Sequence, residues 1–447
     1  MTSLADRLRD VVRPRKSDHQ AATQAGTPPV AANVETNAAD VLGGEWRESA
    51  GQRFLVVDRK YVPGYRHGRV VLADCLPPAG GAWPRLNLLA SGVGARGTWD
   101  QSSGQQKLLF VDLETTGLAG GAGTYAFLVG CGWFDGGVFR LRQFFLSEFG
   151  AERALLESVA QLAADAACVV TYNGKTFDLP VMETRFVLQR MQTPFADLPH
   201  VDMLHPARRL WRDDDVECRL SNLERLLCGH EREGDVPGFE IPSRYFRYVR
   251  SGDARPLEAV LEHNRLDVLS LAMLTARAAQ LLDDGPQAAA TPREAYGMGR
   301  IYERAGMTAE ALESFSHAAG IERSEFQLHP QSAGDTTRAE ALRAFAVLCR
   351  RVRRYAQAAD AWRRLLEMHP CPPALAREAS EALAVHHEHR ARDLETARTF
   401  ALRSLPLQST TARQEAIRYR LARLDRKIGS GQFPVGSTKQ SLFPLTS

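Results

Sequence analysis

The sequence predicts an α/β domain, built as a mixed β-sheet flanked by helices, followed by an all-α domain of helical repeats. Two observations carry this prediction. Between residues 105 and 284, strand-like apolar runs alternate with amphipathic helical patterns, which is typical of a sheet covered by helices. Between residues 290 and 428 only helical periodicity remains, with small and aromatic residues at recurring offsets.

The bulk composition is that of an ordinary globular chain. The 447 residues suit two or three domains, and the formal net charge is only +3. No apolar run approaches the length of a membrane span, so we expect no membrane partner. Seven scattered cysteines without C-x-x-C spacing favour a reduced, cytoplasmic protein. Any affinity for nucleic acid would have to come from a local basic face.

The α/β domain is flanked by less regular segments. Residues 1–40 are rich in Ala, Thr, Pro and charge, which predicts disorder. Residues 41–104 contain short strand-like runs, FLVVD and RVVLAD, which predict a small β-rich extension. The stretch GPQAAATP predicts a linker after residue 284, and residues 429–447 predict a loose tail.

Within residues 105–284 the elements follow in a simple order. KLLFVDLE, YAFLVGCGWF and VFRLRQFFL predict three strands, the last two joined by a DGG turn. ERALLESVAQLAADA predicts a helix, CVVTYN a buried strand, and FDLPVMETRFVLQRM the next helix. Ser221 and Glu224 have the spacing of a capping box. The segment from PLEAVLEHN to ARAAQLL predicts one long helix.

The C-terminal helical pattern resembles tetratricopeptide repeats. The resemblance rests on small and aromatic residues at the offsets Ala295, Gly299, Tyr302, Gly306, Ala311, Phe315 and Ala318. A second copy places Ala358 and Trp362 in the positions of Ala311 and Phe315, and a looser third copy surrounds Ala397. The alternative is a generic helical bundle. Such repeats would hold a protein partner or extend a nucleic-acid groove.

Two acids stand at the end of the first predicted strand of the α/β domain, in FVDLETTG. Asp112 and Glu114 are two residues apart, so their side chains point the same way along a strand. Two neighbouring carboxylates repel each other unless a cation lies between them, and oxygen ligands suit Mg²⁺ or Mn²⁺. The alternative is that one acid caps a loop while the other is solvated.

Further polar residues follow in two later segments. TYNGKTFDLP supplies Asn173 and Asp178 after a buried strand. LEHNRLDVLSL supplies His263 and Asp267, which share one helix face because they are four residues apart. Taken singly, Asp178 reads as a helix N-cap and His263 as an exposed helix histidine.

Together the three segments resemble the DEDD 3′–5′ exonucleases of the ribonuclease H-like fold, over residues 107–282, and most of all the YprB-type bacterial proteins. The resemblance implies that Asp112, Glu114, Asp178 and Asp267 hold two divalent ions, Mg²⁺ or Mn²⁺, which hydrolyse phosphodiester bonds of DNA or RNA. It also implies that His263 orients or deprotonates the attacking water.

The same resemblance implies the substrate contacts. Thr115, Thr116 and Asn173 would contact a nucleic acid, with a single-stranded 3′ end as the expected substrate. His263 departs from the pattern, because it lies four residues before Asp267, whereas the histidine form of this superfamily uses five. Asp202 also matches a place where relatives carry an acid. Its alternative role is to orient a loop.

Two other features bear on substrate binding. Glycines at 117, 120, 121 and 123 let a backbone approach closely, or simply form a tight turn. Arginines in HPARRLWRDDD and SRYFRYVRSGDAR, interleaved with Tyr245, Phe246 and Tyr248, predict a surface that tracks phosphates and stacks bases. The alternative is a solvated helix with core aromatics.

The sequence therefore predicts a metal-dependent 3′–5′ exonuclease. Two other functions stay open: a nucleic-acid-binding protein that kept the fold without the activity, and a scaffold whose helical repeats carry the function. An endonucleolytic cut also stays open, because the acids specify hydrolysis and not end recognition.

Overall fold

The structure is a computed structural model of the chain. The structure describes residues 38–78, 83–90, 107–117, 121–212, 217–321, 332–405 and 411–430. The predictions of a disordered N-terminal segment and a loose C-terminal tail fall almost entirely outside these ranges, as does Gly120 of the glycine-rich stretch.

A seven-stranded mixed sheet forms the centre of the α/β domain. Its spatial order is β1-β2-β7-β6-β5-β8-β9, and only the β5–β8 and β8–β9 pairs are parallel. The strands are β1 Glu45–Ser49, β2 Gln52–Tyr61, β5 Lys107–Thr115, β6 Ala126–Asp135, β7 Val138–Phe145, β8 Ala166–Thr171 and β9 His200–Asp202. Two short strands, β3 Arg66–His67 and β4 Val70–Val71, pair separately. The mixed sheet is as predicted, and β1 and β2 extend it.

Both faces of the sheet are buried, and alternation along β5 assigns its side chains to two cores. Leu108 and Phe110 belong to the core that also contains Val268 of the long helix. Leu109 and Val111 belong to the opposite core. Because side chains alternate along a strand, Asp112 and Glu114 continue the row of Leu108 and Phe110. The two acids therefore lie on the sheet face that the long helix covers.

Between residues 152 and 284, the described part of the chain forms six α-helices around the sheet. They are α1 Glu152–Ala163, α2 Asp178–Leu188, α3 Leu204–Leu210, α4 Leu220–Leu223, α5 Ile241–Ser251 and α6 Arg255–Asp284. The capping box was wrong: α4 begins at Leu220 with Arg219 as its N-cap and no side-chain cap, and a π-helical turn, Glu224–Cys228, follows. The Glu224 side chain is instead buried, with His67 and Arg232 as its partners.

The C-terminal region is all-α, as predicted. Its helices are α7 Pro292–Arg304, α8 Thr308–Ala319, α9 Ser332–Arg351, α10 Tyr355–Glu367, α11 Pro373–His386, α12 Leu394–Arg403 and α13 Thr411–Ser430. Each packs against the next, and α7 also packs against α3 of the α/β domain. One hydrophobic core runs from Phe110 through Tyr302 to Trp362, so the two regions are joined by buried contacts. Among the described residues, no helix is long and apolar enough to cross a membrane.

Candidate active site

Asp112 and Glu114 lie at the C-terminal end of β5, with Glu114 almost fully buried. Burial raises the pKa of both carboxyls well above the usual range. The negative charges of Asp267 and Asp178 raise both pKa values further, while a hydrogen bond from Asn264 opposes the shift for Asp112. These mutual effects mean that acids distant in the sequence act on one another at this end of the sheet.

Asp178 reaches the same end from the neighbouring strand. β8 runs parallel to β5, and the chain turns after Thr171 to begin α2 at Asp178. Burial, followed by repulsion from Asp202, raises the pKa of Asp178 to about 7. The N-cap position belongs to Phe177, and Asp178 is the first residue of α2. The alternative that Asp178 merely caps the helix is therefore wrong.

Asp202 shapes the loop that carries Asn173. Its carboxylate accepts hydrogen bonds from the backbone N–H groups of Asn173 at 2.8 Å, Lys175 at 3.1 Å and Leu204 at 3.1 Å. Asn173 has φ of 64°, a left-handed conformation that needs such support. The structure thus gives Asp202 the loop-orienting role that the sequence left open.

The long helix α6 covers the acids and contributes Asn264. Its Nδ2 donates to Oδ2 of Asp112 at 2.8 Å and to the Asp112 carbonyl at 3.1 Å. Its Oδ1 accepts from Gln143 at 2.9 Å, which fixes the amide orientation. A Cβ on Gly130 would lie 2.3 Å from Asn264 Oδ1, so this close helix–strand contact requires a glycine.

Arg232 links three acids on one side of the site. It donates to Glu224 at 2.5 Å, to Asp267 at 2.6 Å and to Asp235 at 3.3 Å. Only 5% of the Arg232 side chain and none of the Glu224 side chain is exposed. A buried charge is stable only when it is paired, so Arg232 compensates both Glu224 and Asp267.

His263 and Asp267 share a face of α6, as the spacing predicted. His263 Nδ1 lies 2.6 Å from Asp235 Oδ1, and its Nε2 lies 3.6 Å from Asp267 Oδ2. Burial lowers the pKa of His263, but the Asp235 hydrogen bond and the charges of Asp267 and Asp235 outweigh it, so the net shift is upward. Asp235 therefore holds one ring nitrogen and leaves the other directed at the site.

The donor chemistry of the acids fits a divalent cation. Buried carboxylates that raise one another's pKa repel each other when ionised, and a positive ion between them reduces this repulsion. Carboxylate oxygens are hard ligands that suit Mg²⁺ or Mn²⁺. Within the described ranges, one trio brings its ligand atoms within 4.8 Å of one another: His67, Glu224 and His230. In that trio the Glu224 carboxylate already has hydrogen-bond partners in His67, at 2.5 Å, and in Arg232. Its burial therefore needs no metal ion.

The predicted substrate residues have structural contacts of their own. Thr115 Oγ1 donates to the Gly117 carbonyl at 2.8 Å, and Thr116 Oγ1 accepts from the Tyr125 N–H at 2.9 Å. The Asn173 side chain accepts from Thr176 at 3.1 Å. All three border the ends of β5 and β8, beside the acids. Their role toward a substrate stays a prediction.

The prediction of stacking aromatics was wrong for two of three residues. Tyr245 and Tyr248 are buried, and Tyr245 stacks on Phe127 with ring centroids 4.1 Å apart. Ile241, Tyr245 and Tyr248 form the apolar face of α5, which packs on the sheet. Only Phe246 is exposed, at 38%.

Sequence reasoning missed four residues of the site: Gln143, Arg232, Asp235 and Asn264. Asn264 follows His263 directly, and a buried asparagine in an apolar helix face is the signal that could have found it. Arg232 and Asp235 lie in the irregular stretch EREGDVPG, which carries no periodicity to read. Only the folded chain places them beside α6.

Comparisons with known proteins agree with this fold. Residues 109–279 match a family model described as the RNase_H superfamily. The chain is 31% identical to the uncharacterized protein YprB of Bacillus subtilis strain 168, over 73% of this chain and 76% of that protein. The chain therefore belongs to the ribonuclease H superfamily, in the family of YprB. This membership supports a nuclease-like protein that binds nucleic acid.

A solved structure is also similar in part. The family B DNA polymerase from the archaeon Pyrobaculum calidifontis aligns with 50% of this chain and 31% of its own, at a TM-score of 0.34 and 14% identity. The chain thus spans about a third of that polymerase.

Proposed function

We propose that the protein is a metal-dependent 3′–5′ exonuclease that hydrolyses phosphodiester bonds of DNA or RNA. The proposal is supported by buried carboxylates on β5 and α2 whose pKa values are raised by burial and by the neighbouring acids, Asp267 of α6 among them. Asp112, Glu114, Asp178 and Asp267 would hold two Mg²⁺ or Mn²⁺ ions. When bound, such ions would activate a water and stabilise the leaving 3′ oxygen.

The chain's own residues would prepare the site for this chemistry. Asn264 orients the carboxylate of Asp112 through its hydrogen bond at 2.8 Å. Asp235 holds Nδ1 of His263, so Nε2 is the atom that would accept a proton from the attacking water. Thr115, Thr116 and Asn173 would contact the terminal nucleotide of a single strand.

The helical region completes the proposal. Its successive packed helices fit a tetratricopeptide-like repeat in which Gly299 lies against Phe315, at the offset read from the sequence. We propose that this region either extends the nucleic-acid path or holds a protein partner, and that the enzyme works in the cytoplasm.

The proposal is tested with labelled nucleic acids. The wild-type protein should degrade 5′-labelled linear single strands progressively from the 3′ end with Mn²⁺ or Mg²⁺. EDTA and Asp112→Asn should each abolish the ladder. Degradation that Asp112→Asn leaves unchanged would indicate a contaminating nuclease and overturn the proposal.

Two further outcomes separate the alternatives. Cleavage of circular single strands would establish an endonuclease instead. If no DNA or RNA is hydrolysed although the protein binds it, the chain is a nucleic-acid-binding protein that keeps the fold without the activity.

A further inference from the structure

The junction between the α/β domain and the helical region carries a cluster of basic side chains. A cavity of about 440 Å³ lies between α3 and α7, which pack directly against each other. His205, Arg208 and Arg209 of α3 line it from one side. Three arginines of α7 line it from the other side: Arg293, Arg300 and Arg304. We call these six residues the junction cluster.

Among the described residues, three arginines of this cluster have no acidic partner. Arg300 pairs with Glu303 at 2.8 Å, and Arg293 lies 3.9 Å from Glu340. Within the ranges that the structure describes, no acid pairs with Arg208, Arg209 or Arg304; the aspartates at 213–215 lie outside those ranges. Partial burial, followed by repulsion from Arg304 and Arg300, lowers the pKa of Arg209. Like charges gathered around one cavity favour an anion between them.

The cluster is connected to the candidate active site. Asp202 accepts hydrogen bonds from Asn173 in the active-site loop and from Leu204, the first residue of α3. Tyr172, next to Asn173, donates its hydroxyl to the Cys218 carbonyl at 2.7 Å. Arg208 acts electrostatically on both Tyr172 and Cys218. The cluster therefore begins directly behind the loop that leads to Asp178.

From these contacts we infer that the junction cluster binds the phosphate backbone of a single-stranded nucleic acid. Its guanidinium groups match phosphate oxygens in geometry and charge. Tyr296 also lines the cavity, with the Arg293 guanidinium 5.7 Å over its ring. The substrate's 3′ end would lie at the acids, and upstream nucleotides would pass over the junction. The identity of this strand as the substrate rests on the proposed function.

The first test measures binding alone. The variant Arg208→Gln/Arg209→Gln/Arg304→Gln removes the three arginines that have no acidic partner in the described part of the chain. Its control, Arg140→Gln/Arg343→Gln/Arg398→Gln, also removes three arginines, all exposed and each paired with an acid. The full-length proteins are titrated into a fluorescent single-stranded oligonucleotide, as DNA and as RNA, in EDTA at several salt concentrations.

We expect the junction variant to bind at least about tenfold more weakly than the wild type, and the control to change by less than about twofold. The slope of log K against log salt should fall by about 2 in the junction variant, because each phosphate contact on a single strand contributes about 0.7. Equal losses in both variants, or no binding by the wild type, would overturn the inference. Because EDTA prevents metal-dependent hydrolysis, this result does not depend on the proposed activity.

A second measurement links the cluster to the active site. Hydrolysis of thymidine 5′-monophosphate p-nitrophenyl ester, which is too short to reach the cluster, should be equal in wild type and junction variant. Hydrolysis of a long strand should be slower in the variant, through a higher KM. If the long strand is hydrolysed with an unchanged KM, the cluster does not serve this substrate and the inference fails. If neither substrate is hydrolysed by any of the proteins, the proposed function fails and the binding data still decide the role of the cluster.

Discussion

Arg232 donates a hydrogen bond of 2.6 Å to Asp267, and a second nitrogen of the same guanidinium lies 2.5 Å from the fully buried Glu224. A fixed cation therefore lies beside one of the four acids that we assign to metal binding. Burial and the neighbouring acids raise the pKa of Asp112, and the positive charge of Arg232 partly opposes that shift.

Replacing Arg232 should therefore destabilise the protein strongly. Arg232→Gln leaves the buried carboxylate of Glu224 without its cation, and we expect a loss of about 3–5 kcal/mol in the free energy of unfolding. Urea denaturation measures it. The control Arg398→Gln removes an exposed pair with Asp425 and should cost less than about 1 kcal/mol. Similar losses in the two variants would contradict the pairing described for Arg232.

Asp235 should act through His263 and not through stability. Asp235→Asn keeps the size of the side chain but removes the charge that holds His263 Nδ1. We expect kcat to fall by about tenfold or more with little change in KM, because a misoriented base slows proton transfer and not binding. The NMR pKa of His263 should also fall. Asp135→Asn, on an exposed ion pair, is the control. An unchanged kcat would contradict a role for Asp235 in positioning His263 for catalysis.

The raised pKa of Asp178 predicts how stability depends on pH in metal-free protein. The carboxyl has a pKa of about 7 in the folded chain and about 3.9 when unfolded. Folding therefore favours the protonated form, and the stability from this proton is complete below about pH 4 and lost as the pH rises to about 7.

The isosteric variant Asp178→Asn cannot lose this proton. In EDTA, its advantage in unfolding free energy over the wild type should grow between about pH 4 and 7, by at most about 4 kcal/mol at 1.4 kcal/mol per pKa unit. Saturating Mn²⁺ should reduce or reverse the advantage. A constant difference across this range, measured by urea denaturation, would contradict a raised pKa at Asp178.

Gly130 should be required for the hydrogen bond between Asn264 and Asp112. In Gly130→Ala the new Cβ would lie 2.3 Å from Asn264 Oδ1, so the asparagine must move. We expect a loss of about 1–3 kcal/mol in stability, because overpacking and a broken buried hydrogen bond both cost free energy. Gly64→Ala, which has no atom within 4 Å of its Cβ, should be close to neutral. Equal stability of the two variants would contradict the packing of α6 on β6.

Much of the fold and most of the acid positions could be read from the sequence, because they depend on local patterns. Apolar alternation defines β5, and side chains two residues apart on a strand must share a face, so Asp112 and Glu114 follow directly. His263 and Asp267 follow from helical spacing. The tertiary contacts could not be read this way, since Arg232 and Asp235 reach α6 from an irregular segment.

The failed prediction of stacking tyrosines has a related cause. Ile241, Tyr245 and Tyr248 recur at helical spacing and form the buried face of α5. The prediction relied instead on the nearby arginines, which belong to the opposite face. Likewise, the arginines of α3 were visible in the sequence, whereas their neighbours on α7 are brought close only by the packing of the two regions.

Anomalous diffraction from crystals of the full-length protein in Mn²⁺ tests most directly whether the four acids hold divalent cations. We predict one or two anomalous peaks bonded to Asp112 and its partners Glu114, Asp178 and Asp267, and none in Asp112→Asn. Absence of a peak there at saturating Mn²⁺, or a peak bound instead by His67, Glu224 and His230, would contradict the account.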